Sequence, residues 1–223
     1  MTTPSINILY EDADVLVVEK PPGVLSEDAP GDTCSVPTLL ASHATGGFPL
    51  SPLTRLDRAV SGVMLLAKNK RSAAFLSAEI TDHEKTHKEY RAIVKGKFEE
   101  TSGEMRDLLF KDSAKNKSFV VSKMRKGVKD ARLTYEVLDT AESEKGSISL
   151  LSVRIYTGRT HQIRVQLASR KHPLLGDGKY GGDSSYPLSL HAYRLSFIHP
   201  NGKRMTFESP CPKGEPWRLF NNK

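Results

Sequence analysis

Two short apolar runs open the chain, at residues 6–10 and 15–20, separated by Glu11-Asp12-Ala13-Asp14. They predict two strands joined by a polar turn. Pro21-Pro22-Gly23 ends the second run, and a connection rich in Gly, Pro, Ser and Asp spans 26–37. A short helix is predicted over 38–43. Val63-Met64-Leu65-Leu66-Ala67 is short and continuously apolar, the pattern of a strand buried on both faces. Residues 72–81 predict a helix with Ala74, Phe75, Ala78 and Ile80 toward one side. Residues 88–96 alternate as a half-buried strand does, with Tyr90, Ala92 and Val94 on one face. Further strands are predicted over 118–122, 131–138 and 147–156. Residues 160–170 fit an alternating strand or a helix N-capped by Thr160; Ile163 and Leu167, one turn apart, and the stop before His172-Pro173 favour the helix. Residues 176–182, Gly-Asp-Gly-Lys-Tyr-Gly-Gly, read as a loop. Pro200-Asn201-Gly202 between 195–199 and 204–208 predicts a hairpin.

Strands outnumber helices and do not alternate with them strictly. The expected fold class is α+β: a mixed, largely antiparallel sheet core with flanking helices and a central active-site cleft, as one domain over 1–223. That length suffices for a proper core. No apolar run is long enough to cross a bilayer and the N-terminus has no signal-peptide pattern, so a cytoplasmic location is expected. Cys34 and Cys211 are far apart with no Cys-x-x-Cys, so neither a disulfide framework nor a cysteine zinc site is indicated. The net charge of +7 points to a polyanionic partner. Most of it is concentrated: residues 111–132 hold eight basic side chains (Lys111, Lys115, Lys117, Lys123, Arg125, Lys126, Lys129, Arg132) against Asp112 and Asp130. Such a stretch attracts phosphates in a salt-dependent way, and a solvated lysine-rich loop is the plainer alternative.

The segment over 52–68 places Asp57 between Arg55 and Arg58, directly before the apolar strand. Arginine neighbours keep a carboxylate ionised, which suits a nucleophile or a charge stabiliser. A surface salt-bridge cluster has the same composition. His83-Glu84-Lys85-Thr86-His87 fits the zinc-protease pattern His-Glu-x-x-His. That chemistry requires a helix with both histidines on a buried face and a third ligand. The segment is charged throughout and has no such ligand, so a solvated lead into the Tyr90 strand fits better. No Gly-x-Gly-x-x-Gly, Walker loop or Gly-x-Ser-x-Gly is present, and neither a bound cofactor nor a metal is expected. What remains are three polar clusters: Arg55/Asp57/Arg58, Lys88/Tyr90, and Arg159/Thr160/His161/Gln162/Arg164. Taken singly, Tyr90 reads as a core tyrosine and Arg164 as a helix-surface charge. Together they supply a carboxylate, an arginine able to pair with it and a ring able to stack.

The ordered set of motifs resembles the RluA-type pseudouridine synthase family. Thr54-Arg55-Leu56-Asp57-Arg58-Ala59-Val60-Ser61-Gly62 is similar to its central His-Arg-Leu-Asp-x-x-Thr-Ser-Gly, with Thr54 and Val60 as departures. Glu11-Asp12 to Lys20-Pro21-Pro22-Gly23, Lys88-Glu89-Tyr90, Gly158 to Val165 with His172-Pro173 and Gly176-Asp177, and Leu190-His191-Ala192 with Phe197 to Pro200 resemble its other motifs. Gln166 stands where His is common. The likeness covers roughly residues 6–212, leaving no room for an S4-like RNA-binding domain before Ile6, so a catalytic-domain-only member is expected. The resemblance implies a monomer that isomerises uridine to pseudouridine in structured rRNA or tRNA. Asp57 would be the catalytic carboxylate, as nucleophile or by removing a ribose proton, with Arg164 as its charge partner. Tyr90 would pack on the uracil and take the C5 proton, the weaker role for a phenol of pKa near about 10. Arg55 would fill the space left by the flipped base and Arg58 would hold phosphates. Lys88, Arg159, His161 and Gln162 complete the implied RNA-binding set. A catalytically silent RNA-binding relative and a zinc hydrolase using His83, Glu84 and His87 are the alternatives.

Overall fold

Two strands with apolar side chains on both faces organise the first part of the chain. β2 (Val15–Lys20) pairs antiparallel with β4 (Ser61–Ala67) and, on its other edge, with β1 (Asn7–Glu11). Alternation sends Val15, Val17, Val63 and Leu65 into one cluster and Leu16, Val18, Met64 and Leu66 into another. The first cluster is closed by Leu76 and Ile80, and by Leu195 and Phe197 of β10 (Leu190–Ile198). Val24, Val36, Leu40 and Leu50 close the second. These elements, with β3 (Ser51–Pro52) on β4 and β11 (Arg204–Glu208) on β10, form a compact unit of the chain up to Lys88 together with Ala192–Pro210. The computed structural model describes residues 4–82, 85–144 and 146–220.

The second unit comprises Glu89–His191 and the C-terminal residues from Cys211. Its strand order is β5 (His87–Lys95), β9 (Gly146–Ile155), β8 (Val128–Ser143), β6 (Ser102–Asp112), β7 (Lys117–Val121). The β9–β8, β8–β6 and β6–β7 pairs are antiparallel. Ile93, Ile148, Leu150 and Leu175 pack with Trp217 and Phe220, while Leu109 and Ala131 pack with Val165. Chain-wise, the first unit is left within β5 and re-entered within β10. The α+β class expected from the pattern is the class observed. No described helix is long and apolar enough to cross a membrane.

Several predicted elements differ in extent or facing. The short helix begins earlier, as α1 (Val36–Leu39), capped by the Ser35 hydroxyl accepting from the Thr38 N–H at 3.1 Å. Helix α2 runs Lys70–Glu79, and Phe75 lies outside rather than inside. Asn69 Oδ1 accepts from the Ser72 N–H at 2.8 Å and Ser72 Oγ donates to the Asp14 carbonyl at 2.8 Å. Those bonds turn the Ser72, Leu76, Ile80 stripe inward. In β5, Ala92, Ile93 and Val94 are all buried, so that end is covered on both faces. Strand β6 was not predicted: its inward positions include Asp107, whose carboxylate accepts from Arg170 and Gln166 at 2.8 and 2.7 Å. A half-buried charge at an inward position breaks the alternation a strand needs to be visible.

Gly62 has φ +118°, and a Cβ there would run into the backbone of Ala192 on β10. Gly202, in the β10–β11 turn at φ +85°, has nothing within 4 Å of that position. Gly62→Ala is expected to cost about 1–3 kcal/mol from overpacking on top of the left-handed strain, clearly more than Gly202→Ala. Urea midpoints of the two variants measure this, and equal losses would contradict the close-approach argument.

Candidate active site

The Asp57 turn is fastened on both sides by buried groups. Thr54 Oγ1 accepts from the Leu65 N–H at 2.9 Å, tying the entry of the turn to β4. The Ser26 hydroxyl donates to the Leu56 carbonyl at 2.8 Å and accepts from the Leu56 N–H at 2.9 Å. The Val60 N–H returns to the Asp57 carbonyl at 3.0 Å. With Leu56 and Val60 anchored inward, Asp57 is half-buried and Arg55 and Arg58 project outward. Each arginine meets a carboxylate of the preceding connection: Arg55 Nη1 to Glu27 at 3.1 Å and Arg58 Nη1 to Asp32 at 2.8 Å. Both pairs are exposed, so each contributes at most about 1 kcal/mol.

Beneath this turn lies Lys20, fully buried at the end of β2. Its ammonium donates to the carbonyls of Pro21, Val24 and Arg58 at 2.9, 2.8 and 3.2 Å. All three N–H donors are thereby used, the last on the backbone one residue past Asp57. Burial pushes this lysine down to about 8, against an upward pull from the Asp57 charge.

In the second unit, helix α3 (Gln162–Ser169) carries Arg164. The helix is where the spacing put it, but its cap is not Thr160. The N-cap is His161, in the left-handed region at φ 54° and without a side-chain cap bond. The turn before it is held by Gln162 instead. Gln162 Oε1 accepts from Thr157 Oγ1 at 2.7 Å and the Arg159 N–H at 3.1 Å, and its Nε2 donates to the Arg132 carbonyl at 3.0 Å. Residues 162–167 are buried all round, so Arg164 is not a helix-surface charge.

Arg164 forms a bidentate pair with Asp177, Nε to Oδ2 at 2.7 Å and Nη2 to Oδ1 at 2.8 Å, and the Asp177 side chain has no exposed surface. The guanidinium also lies over the Tyr180 ring at 5.2 Å. Tyr180 Oη accepts from the Ser118 N–H at 2.8 Å and shares a hydrogen bond with His161 Nδ1 at 2.9 Å. The loop over 176–182 wraps the carboxylate: the Asp177 carbonyl accepts from the N–H groups of Tyr180 and Gly182 at 3.1 and 2.8 Å. A Cβ on Gly182 would strike the Leu174 carbonyl and the Asp177 backbone. Two of the five arginine N–H donors go to Asp177, which fixes the plane of the group.

The remaining expected residues take varied positions. Tyr90 is half-buried on β5. Lys88 donates to the Ile80 carbonyl at 3.3 Å, and burial pushes it down to about 8. Arg159 Nε donates to the Asp130 carbonyl at 2.8 Å. His87 lies on a strand, while His83 and Glu84 of the His-Glu-x-x-His pattern fall outside the described residues. Among the described residues no three His, Cys, Asp or Glu side chains gather as a metal-holding set. Asp177, Tyr180 and Lys20 were not singled out as site residues. The sequence carried them only as members of motifs, since a loop aspartate and a strand-end lysine have no periodic signature of burial.

The family model described as RNA pseudouridylate synthase matches residues 14–169. An uncharacterized RNA pseudouridine synthase of Aquifex aeolicus is 40% identical over 227 residues, covering 93% of this chain and 70% of that protein. The dual-specificity RNA pseudouridine synthase RluA of Vibrio parahaemolyticus is 34% identical, covering 89% of this chain and 80% of its own. Among solved structures, human RNA pseudouridylate synthase domain containing 1 shares the fold, with a TM-score of 0.78 at 23% identity over 95% of this chain and 86% of that one.

Breaking a buried ion pair leaves an uncompensated charge, so Asp177→Ala is expected to lose about 3–5 kcal/mol. The double variant Arg164→Met, Asp177→Leu should recover most of it in chemical denaturation; equal losses in both would refute the pairing argument. Half-buried Lys88 gives a second expectation. Below about pH 8 Lys88 is charged in both states and its burial penalty is full. Between about 8 and the unfolded lysine value near about 10.4 the unfolded chain holds the extra proton, so stability rises with pH. Lys88→Met should flatten that rise in urea midpoints taken across this window, and an unaltered slope would contradict it.

Proposed function

The chain belongs to the RNA pseudouridylate synthase family, of the RluA type, and from that premise we propose that it isomerises uridine to pseudouridine within RNA with Asp57 as the catalytic carboxylate. The observation that carries this reading most is the family match over 14–169, which contains the Asp57 turn, Tyr90 and Arg164. The reaction breaks the N1–C1′ bond, turns the base and joins C5 to C1′. The C5 proton is lost and N1 gains one, so no oxidant, reductant or energy source is consumed.

Each proposed role follows from the chemistry of the group. Asp57, on a turn fastened to β4 and Ser26, acts on the nucleotide either as a nucleophile or by removing a ribose proton. Arg164 serves as its charge partner, and a guanidinium already locked by Asp177 enters that role with little orientational freedom to lose. Tyr90 packs on the uracil ring and accepts the C5 proton. A base within a stem or tight loop must be flipped out first; Arg55 fills its place and Arg58 holds phosphates. Both arginines have exposed carboxylate pairs that phosphates can replace, while Arg58 Nε also donates to the Gly23 carbonyl at 2.8 Å. Lys88 and Arg159 contribute to RNA binding directly. His161 and Gln162, whose side chains are turned inward, contribute through the 157–161 turn they hold. We further propose that the two units work as one catalytic domain on structured rRNA or tRNA, as a monomer in the cytoplasm.

The test is tritium release from ribosomal and transfer RNA transcripts labelled at uridine C5. Wild-type protein should release tritium, and Asp57→Asn should abolish release while RNA binding stays within a few-fold. Turnover retained by Asp57→Asn would overturn the assignment.

A further inference from the structure

The basic stretch over 111–132 is not one surface. Arg132 leaves it: its guanidinium pairs with Glu104 at 2.9 Å and lies over the Tyr156 ring at 4.3 Å. The others lie at the last rungs of β6 but on both faces, Lys111 and Lys129 alternating to the side away from Phe110. Lys111 is on β6 opposite Ser118, Lys129 is on β8 opposite Leu109, and Lys115 and Lys117 flank the β6–β7 turn. Strands β7 and β8 lie on opposite edges of β6, with Val121 opposite Leu108 and Val128 opposite Phe110. The six residues over 122–127 must therefore arch across the face of β6. The arch is held in place: the Arg125 guanidinium stands 5.0 Å over the Phe110 ring, and the Val128 N–H closes a turn on the Arg125 carbonyl at 3.0 Å. Its crest is Lys123-Met124-Arg125-Lys126, exposed throughout, with Met124 62% exposed, well above the other exposed large apolar side chains.

Several exposed cations elsewhere meet carboxylates, as in Arg55–Glu27, Lys97–Glu142, Arg194–Glu208 and Arg218–Glu215. On the arch, Lys123 and Lys126 have no ion pair among the described residues. Side chains left this way repel one another and gain most from an external polyanion. A thioether at the centre of the cations adds apolar contact to a ribose or a base. Resting on the proposed function, we infer that the 122–127 arch is a docking surface for the phosphate backbone of the RNA substrate, separate from the residues that act on the uridine. Helical RNA suits this surface, because its closely spaced phosphates can meet several cations of one short arch at once.

The experiment measures binding of an RNA hairpin of about 16 base pairs across a range of salt, together with tritium release. The triple variant Lys123→Glu, Arg125→Glu, Lys126→Glu should bind at least about tenfold more weakly at low salt. The slope of log affinity against log salt should become shallower by about 2–3, one for each lost phosphate contact. KM should rise while kcat at saturating RNA stays near wild type. Lys123→Gln with Lys126→Gln, which leaves Arg125 on Phe110, should show the same in smaller measure with the fold undisturbed. Met124→Ala should weaken binding without altering the slope. Unchanged affinity and slope in the charge variants, with wild-type protein binding and isomerising RNA, would overturn the docking surface and leave the proposed function standing. Failure of the wild-type protein itself to isomerise RNA would overturn the function, and with it this surface's role.

Discussion

A buried arginine held by a buried carboxylate is the constraint around which the second unit is arranged. Removing Arg164 and Asp177 from water is costly, and two short parallel hydrogen bonds between them offset that cost. Everything near the pair keeps that geometry. The glycine-rich loop folds its backbone onto Asp177, Tyr180 offers its ring to the guanidinium, and the Tyr180 hydroxyl is itself held by His161 and Ser118. Gln162 begins the helix from inside. An arginine with this support cannot swing as surface arginines do, which is what an electrostatic role in a reaction asks of it.

The first unit solves a different problem with different means. A half-buried carboxylate on a tight turn needs a rigid backbone more than a charge lock. Ser26 takes both backbone groups of Leu56, and Lys20 uses its three donors on carbonyls around the turn. The flanking arginines stay outside on weak pairs. Inner groups fix position, while outer ones remain exchangeable.

This division explains what the sequence made legible. Strands β2 and β4 were readable because continuous apolar runs have one physical meaning at that length. The β10–β11 hairpin was readable from Asn201-Gly202, whose turn chemistry is local. Strand β6 was hidden because Asp107 occupies an inward position and is satisfied only by Arg170 and Gln166, some 60 residues away in sequence. The facing of α2 was misread because Ser72, a polar residue, leads the buried stripe through its bond to Asp14. The cap of α3 was misread for a related reason: a buried glutamine does the work expected of Thr160. Of the candidate site, Asp57, Tyr90 and Arg164 were legible as motif positions, whereas Asp177 and Tyr180 acquire their roles through packing on Arg164 that no local pattern encodes, and Lys20 reaches the Asp57 turn through the Arg58 carbonyl, 38 residues on.

The orientation of Arg164 by Asp177 is the central dependence. The direct measurement is the single-turnover rate of Asp177→Asn on saturating RNA, at a temperature where circular dichroism shows the variant folded. The account predicts RNA affinity within a few-fold of wild type and a rate lower by about 10–100-fold, the scale on which lost supporting contacts act on a positioned group. A wild-type single-turnover rate in the folded variant would contradict it.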